Sequence, residues 1–232
     1  MNRRVFIAVC ATLALTACVP DAMQRPDLEP LPRVKRTGSP QDVDDFRAVV
    51  QRVEPVAEQV CREARADLNC DFLILVDERP NLQPNAYQTY RRDGRPVIIF
   101  TASLLRVMKN RDEVAFALSH EAAHHIEEHV LQTRSSVFAG TLIGAIFGAA
   151  AGLDASGLDA AADIGGTIGA RSYSKEFELE ADALGARIAE RAGFDALRGV
   201  LYFQDAADPG DRFLGTHPPN ADRIRIVRRS VG

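Results

Sequence analysis

The sequence His-Glu-Ala-Ala-His at residues 120–124 constrains this chain more than any other feature. In an α-helix, residues four positions apart lie on the same face, one turn from each other. His120 and His124 can therefore direct ring nitrogens at a single metal ion. Glu121 lies about 100° further around the helix, where it can reach a water molecule bound to that ion. The pattern predicts a helix that carries two metal ligands and a general base.

These residue types fit zinc. Zinc held by three protein ligands keeps a fourth position for water and lowers the pKa of that water to about 7. Glu121 would take a proton from this water as it attacks a peptide carbonyl, and would then pass a proton to the leaving amine. The five-residue string also occurs by chance on helix surfaces, but four of the chain's five histidines fall within this one predicted helix. We therefore predict one Zn²⁺ per chain.

A second histidine pair lies within the same predicted helix. Residues 125–129 read His-Ile-Glu-Glu-His, which matches a reversed zinc motif. At about 100° per residue, this pair lies roughly 140° around the helix from His120 and His124, so the two pairs cannot bind one ion. The reversed motif is the alternative ligand pair.

Hydrophobic periodicity divides the chain into helices and a few short strands. Apolar residues recur at helical spacing from Phe46 to Val60, and the zinc-motif helix is predicted from Asn110 or Asp112 to about Gln132. We predict the α+β class, with a mainly helical domain and a small, largely antiparallel sheet beside the zinc helix. The predicted strands, which include a hairpin, are residues 72–76, 86–90 and 97–101.

Residues 135–153 contain no charged side chain and consist largely of Gly and Ala. The segment is close to the minimum length of a membrane span, but Gly and Ala make it only weakly apolar. We interpret it as a helical hairpin that lies over the cleft or against the membrane surface.

The N-terminal residues resemble a bacterial lipoprotein signal. Arg3 and Arg4 precede an apolar run that is too short to span a bilayer. The sequence Leu-Thr-Ala-Cys that follows resembles a lipobox, in which Cys18 is lipidated and becomes the new N-terminus. An ordinary cleaved signal, with Cys18 incidental, is the alternative.

The expected division of the chain follows from this signal. Residues 1–17 are predicted to be the signal peptide, residues 18–40 a lipidated N-terminus and tether, and residues 41–232 the metallopeptidase domain. Residue 19 is Val rather than Asp, which by resemblance to lipoprotein sorting favours the outer membrane, facing the periplasm. In that compartment Cys61 and Cys70 are expected to form a disulfide, with two buried thiols as the alternative.

Four further short motifs accompany the zinc motif. They are a histidine five residues after it, an Asn-Ala pair before an edge strand, a Ser-Lys-Glu-Phe-Glu-Leu-Glu-Ala-Asp segment, and a late His-Pro followed by Arg. Together they resemble the HtpX-like and CAAX-prenyl-protease-like family of zinc metallopeptidases, in its periplasmic lipoprotein branch, and the resemblance implies a zincin-like fold over residues 42–230. The matching positions are His129, Asn85, Ala86, residues 174–182, His217, Pro218 and Arg223.

The resemblance also implies roles for several residues. Glu178 would be the third zinc ligand, and Asp182 would orient a ligand histidine from behind. His217 would donate to the oxyanion of the reaction or close the cleft; the alternative is a histidine that merely precedes Pro218 at a helix start. The sequence departs from the family pattern at two places. Lys175 stands where Arg is usual, which weakens any bidentate contact there. The glycine pair that often follows Asn-Ala in the family is missing.

Helical spacing within residues 174–191 independently favours Glu178. Glu178 and Asp182 flank the buried stripe on the side of Gly185, where a second helix can approach closely. Glu176 and Glu180 lie on the other side together with arginines, which predicts a solvated, charge-paired face. The predicted buried stripe consists of Phe177, Ala181, Leu184 and Ile188.

These observations predict a zinc endopeptidase that acts on protein or peptide substrates. The resemblance implies envelope quality control, with unfolded or misassembled envelope proteins as substrates, and an extended substrate would pair with the edge of the hairpin at residues 85–101. The alternative function is a periplasmic chaperone or assembly factor that keeps the zinc site but cleaves rarely. A purely structural zinc lipoprotein is disfavoured, because a structural site has no use for Glu121. The net charge of −4 gives no indication of nucleic-acid binding, and the membrane is expected to be reached through the N-terminal lipid.

Overall fold

The structure, a computed structural model, describes residues 40–172, 174–205, 210 and 217–232. The predicted signal peptide, the lipidation site Cys18 and nearly all of the tether lie outside the described residues, so they stay predictions. The described residues form nine helices and three strands, which confirms the mainly helical α+β class. The elements are α1 (Pro40–Ala64), β1 (Leu73–Asp77), β2 (Ala86–Tyr90), β3 (Pro96–Thr101), α2 (Ala102–Val107), α3 (Arg111–Ile126), α4 (His129–Ala150), α5 (Ala155–Arg171), α6 (Ser174–Arg191), α7 (Ala196–Gly199), α8 (Tyr202–Asp205) and α9 (Asn220–Val231).

The three strands form one mixed sheet in the order β1-β3-β2. β2 and β3 pair antiparallel, as the predicted hairpin requires, with Tyr87 opposite Ile99. β1 pairs with β3 in parallel, with Leu75 opposite Ile99, so the expectation of a largely antiparallel sheet holds for one of the two strand pairs. The reason is that β3, which is buried at every position, is the central strand. After β1 the chain passes to the opposite edge of the sheet, where it forms β2, and the hairpin then returns it to the centre as β3. This connection leaves β2 as an edge strand.

Helix α1 packs in the same hydrophobic core as the sheet and the zinc-motif helix. Its fully buried residues Val49 and Val53 lie in one core cluster with Leu118 of α3. Near the end of α1, Cys61 forms a disulfide with Cys70, nine residues later in the sequence and just before β1. Closing a loop of this length stabilises a fold by about 2.5–3 kcal/mol in the chain-entropy account. The disulfide therefore holds the end of α1 beside the start of the sheet.

The zinc-motif helix is shorter than predicted. Helix α3 has the predicted N-cap at Asn110, but it ends at Ile126 rather than near Gln132. Glu128 adopts a left-handed backbone conformation, with a φ of 56°, and an α-helix of L-residues does not continue through such a residue. A separate helix, α4, begins at His129. The direction of His129 is therefore not set by the periodicity of α3.

The hairpin expected within residues 135–153 is formed differently. Those residues belong to the single helix α4 and the turn after it, and the hairpin consists of α4 and α5 (residues 129–171). The sequence did not reveal this because the glycines that join the two helices are spread over both of them. A Cβ atom added to Gly140 or Gly144 of α4 would overlap a backbone carbonyl oxygen of Gly165 or Ala161 in α5. The α4–α5 hairpin packs chiefly on itself and meets α3 and α6 at its base.

Candidate metal centre

Three donor groups from two helices converge at one point. The Nε2 atoms of His120 and His124 lie 3.0 Å apart. One carboxylate oxygen of Glu178 lies 3.6 Å from His120 Nε2, and the other lies 3.4 Å from His124 Nε2. Ligand atoms that share a tetrahedral zinc ion at about 2.0–2.2 Å are themselves roughly 3.3–3.6 Å apart. The three side chains therefore fit a single zinc ion.

Close approach of α6 to α3 brings Glu178 to the two histidines. A Cβ atom added to Gly185 would lie 2.8 Å from the backbone nitrogen of His120, so only glycine fits there without a shift. Ala181 and Ala189 on the same helix are fully buried. The predicted contact between the two helices at Gly185 is confirmed. A larger side chain at this position would separate Glu178 from the histidine pair.

Behind His120 lies a buried ion pair. Asp182 accepts a hydrogen bond from Nδ1 of His120 at 3.0 Å. The guanidinium of Arg223, from α9, binds both carboxylate oxygens of Asp182 at 2.7 Å and lies 3.8 Å above the ring of Phe203. Asp182 thus occupies the orienting position that was predicted for it, and Arg223 in turn fixes Asp182. This arrangement turns Nε2 of His120 toward the point of convergence.

The positive groups around the site keep both carboxylates ionised. Burial by itself raises the pKa of Glu178, but hydrogen bonds from His124 and His217 hold that pKa well below its ordinary value. Burial also raises the pKa of Asp182, but the charge of Arg223 outweighs it and the pKa is lowered. An ionised carboxylate is the form that binds a metal cation. Glu178 therefore has the protonation state that a ligand requires.

His124 is oriented by another histidine. Its Nδ1 atom lies 3.0 Å from Nδ1 of His129, and Nε2 of His129 lies 3.1 Å from a carboxylate oxygen of Glu180. When Nε2 of His124 faces an ion, its Nδ1–H donates to His129, and Nε2–H of His129 donates to Glu180. Burial and the neighbouring His124 lower the pKa of His129 to about 4, which keeps this ring neutral. The ring also stacks on Phe177, with 4.4 Å between the ring centroids.

The reversed motif does not form a second site. Nε2 of His125 donates to the backbone oxygen of Asn69 at 2.8 Å, and its Nδ1 accepts from the hydroxyl of Tyr90 at 3.2 Å. Burial lowers the pKa of His125, so it is a neutral, hydrogen-bonded core residue. His129 points to His124 instead. The two histidines of the alternative pair therefore do not converge.

The two residues predicted to be catalytic line the same cleft. Glu121 follows the first histidine of the motif, and His217 lies just before α9. Nδ1 of His217 is 3.4 Å from a carboxylate oxygen of Glu178, although the side chain of His217 is 55% exposed. His217 is thus brought to the site, in a position from which its ring can also face the solvent.

A cleft of about 900 Å³ contains the convergence point. One wall is formed by Asn85 and the first residues of the edge strand β2. Apolar and aromatic side chains also line the cleft: Leu104, Met108, Phe116, Tyr202 and Phe203. An extended polypeptide beside β2 would therefore have its backbone along the strand and its side chains near an apolar surface.

Two residues at this site were not predicted to belong to it. Arg223 entered the sequence analysis only as part of a motif, with no role. Glu180 was assigned to a solvated face, and its side chain is indeed 59% exposed, but its carboxylate also accepts the hydrogen bond from His129. No signal in the sequence points to this contact, because it depends on the break between α3 and α4.

The fold and the site together define the class of this protein. A helix with the His-Glu-x-x-His motif, a carboxylate from a following helix and an edge strand beside the cleft are the parts of a metallopeptidase domain. The family model described as peptidase family M48 matches residues 47–231. The chain belongs to peptidase family M48.

Curated relatives agree with this assignment. The mitochondrial metalloendopeptidase OMA1 of Schizosaccharomyces pombe is 29% identical over 170 residues, which are 70% of this chain and 47% of that protein. A protease HtpX homolog of Desulfatibacillum aliphaticivorans is 34% identical over 128 residues, which are 47% of this chain and 41% of that protein. The putative beta-barrel assembly-enhancing protease of Vibrio cholerae is 33% identical over 137 residues, which are 52% of this chain and 28% of that protein. The chain therefore spans about half or less of the length of these relatives.

Proposed function

We propose that this protein is a zinc-dependent endopeptidase that hydrolyses peptide bonds of unfolded or misassembled proteins of the cell envelope. The convergence of His120, His124 and Glu178 beside Glu121, within a cleft walled by an edge strand, is the observation that carries the proposal. A structural zinc site is saturated by protein ligands, whereas this set supplies three and places an acid beside the remaining position. That composition favours catalysis.

The residues of the site have three different roles. His120, His124 and Glu178 would hold zinc, which supplies a Lewis acid and lowers the pKa of a water molecule when bound. Glu121 accepts the proton of the attacking water and returns a proton to the leaving amine. Asp182 and His129 keep the two ligand histidines in the tautomer and orientation that binding requires.

The cleft suits an extended, unfolded segment. One edge of β2 pairs with β3, and Asn85, Ala86, Tyr87 and Gln88 at the start of β2 line the cleft. A substrate strand could add to the opposite edge of β2, which no strand of the described sheet pairs with, through backbone hydrogen bonds that do not depend on sequence. His217, at the rim of the cleft, is placed to donate to the carbonyl oxygen as negative charge develops on it.

The cell envelope is proposed as the place of action on two grounds. The first is the lipobox-like sequence that ends at Cys18, which would anchor the chain to the outer membrane, facing the periplasm. The second is similarity to a Vibrio cholerae protein whose name gives it a role in enhancing beta-barrel assembly.

Anchoring can be tested at the cysteine itself. We expect Cys18→Ser to shift the protein from the membrane fraction toward the soluble periplasmic fraction, because each buried acyl methylene contributes about 0.8 kcal/mol to anchoring. Fractionation of cells that express either form, followed by immunoblotting, measures this. The signal peptide of the variant must be cleaved for this comparison, which its mass shows. A cleaved Cys18→Ser protein that remains in the membrane fraction as fully as the unsubstituted protein would show that Cys18 carries no anchor.

The function itself is tested with a denatured substrate. The purified full chain should fragment a reduced, unfolded protein and leave the same protein intact when it is folded. A zinc chelator should stop fragmentation, and added zinc should restore it. Stable binding of the unfolded protein without any cleavage, in the presence of zinc, would reject the peptidase and favour a chaperone.

A further inference from the structure

The α4–α5 hairpin carries most of the exposed large hydrophobic side chains in the described part of the chain. Nine of the twelve such residues lie on it. The side chain of Phe147 is 71% exposed and that of Ile164 is 62% exposed. Soluble proteins rarely leave a contiguous apolar surface of this kind uncovered. Some other phase or molecule therefore covers the hairpin.

The apolar side chains are distributed differently on the two helices. On α4 they lie mainly between Phe138 and Phe147, where every exposed side chain is apolar, and residues 135–150 include no charge. On α5 the exposed large apolar residues are Ile164 and Ile168, which lie on one face. Both line the same groove as Phe147 of α4. Asp159 and Asp163 lie about 100–180° around α5 from this pair of isoleucines, and both are exposed. The hairpin as a whole has one apolar side and one acidic side.

We infer that the α4–α5 hairpin is a membrane-docking element that embeds α4 and the isoleucine face of α5 in the surface of a lipid bilayer. Asp159 and Asp163 then face the water. This contact is additional to any lipid on the N-terminus, and it does not depend on the peptidase activity.

Lipid fits the hairpin better than a protein partner does. A protein partner covers one side of a helix, whereas every exposed side chain of α4 from Phe138 onward is apolar, as on helices surrounded by lipid. The two helices meet through Gly140, Gly144, Gly165 and Gly169 with their backbones in contact, which is how helices associate where burial of apolar surface gives no driving force. α4 is also the described helix that is long and apolar enough to cross a membrane.

Docking at the surface fits better than crossing. α4 has 22 residues and a length of about 33 Å, which is enough to cross, but α5 is bound along it and would have to cross as well. Asp159 and Asp163 would then lie within the hydrocarbon, where ionised side chains are strongly disfavoured. A hairpin that lies in the interface leaves them in water. Because α4 begins at His129, docking holds the metal centre within one helix length of the bilayer.

Tryptophan fluorescence can test this contact directly, because the chain contains no tryptophan. Phe147→Trp places a single fluorophore on the proposed lipid face of the full chain. Leu197→Trp is the matched control, since Leu197 is also exposed, at 42%, but lies in α7. Each protein is reconstituted with vesicles of phosphatidylethanolamine and phosphatidylglycerol, with and without dibrominated phosphatidylcholine.

The emission of Trp at position 147 should shift to shorter wavelength with vesicles, and brominated lipid should quench most of it. Emission of the Leu197→Trp protein, which has the same N-terminus, should stay unchanged. Adding Ile164→Asp and Ile168→Asp to the Phe147→Trp chain leaves the glycines between α4 and α5 unchanged. This double substitution should abolish the quenching, with helix content unchanged by circular dichroism. Absence of quenching in the vesicle-bound Phe147→Trp protein overturns the inference. So does a spectral shift that depends on protein concentration and not on brominated lipid, which would assign the apolar side to a second copy of the chain.

Discussion

Glu121→Gln should lower the rate of peptide hydrolysis by about 10²–10⁴-fold, the range that general acid–base catalysis contributes, while zinc remains bound. Glutamine has nearly the same shape as glutamate but cannot accept the proton of the attacking water. The three candidate ligands are other residues, so the substitution leaves the donor set complete. Hydrolysis of an unfolded protein and the zinc content of the same purified sample are the two measurements.

Glu127→Gln is the control for this experiment. Glu127 lies at the end of α3, is exposed, and undergoes the same loss of charge outside the cleft. It should retain full activity. Full activity in Glu121→Gln, or equal losses in both variants, would remove Glu121 from the mechanism.

Local periodicity was sufficient to predict the histidine pair and the contact that completes the donor set. His120 and His124 share a face because they are separated by one helical turn, and that relation survives in any fold that keeps α3 intact. Gly185 follows the same logic: a small residue on the face of Glu178 permits close approach of another helix. Each of these predictions depends on one helix alone, which is the range over which a sequence pattern determines geometry.

The break between α3 and α4 could not be predicted in the same way. Residues 125–132 contain neither Gly nor Pro, and their local preference is helical. Glu128 takes a left-handed conformation, and its carboxylate pairs with Arg65 at 2.5 Å, near the end of α1. This long-range contact accompanies a conformation that is unfavourable by itself. The direction of His129 follows from that break, and so does the contact of His129 with Glu180.

The order of the strands in the sheet could not be predicted from the sequence pattern either. The turn around Gly94 predicts the β2–β3 hairpin locally, but it does not say on which side β1 joins. β3 is apolar from Pro96 to Phe100 and is buried on both faces. β1 pairs with the edge of β3 that β2 leaves open, and runs parallel to it. The outcome matters for the site, because it leaves β2 as the edge strand beside the cleft.

Three glutamates at alternate positions of α6 allow a graded test of the metal site. Glu178→Gln should weaken zinc binding by more than the roughly 10–100-fold that is typical when an outer partner of a ligand is lost, because it replaces an anionic ligand by a neutral amide. Glu176→Gln should change nothing, since Glu176 is exposed and lies away from the convergence point. The same chemical change is thus made at the proposed ligand and at a glutamate two residues before it on the same helix.

Glu180→Gln should give an intermediate result. Its carboxylate is 3.1 Å from Nε2 of His129, and a glutamine oxygen can still accept that hydrogen bond, so orientation of His124 is kept while the negative charge is lost. The expected loss of zinc affinity is at most about tenfold, at the low end for outer partners, because the side chain is largely exposed and its charge is screened by solvent. Competition with a zinc chelator measures the three affinities, and circular dichroism shows whether each variant is folded. If Glu178→Gln keeps full zinc affinity and activity while Glu176→Gln or Glu180→Gln loses both, another carboxylate of α6 is the ligand.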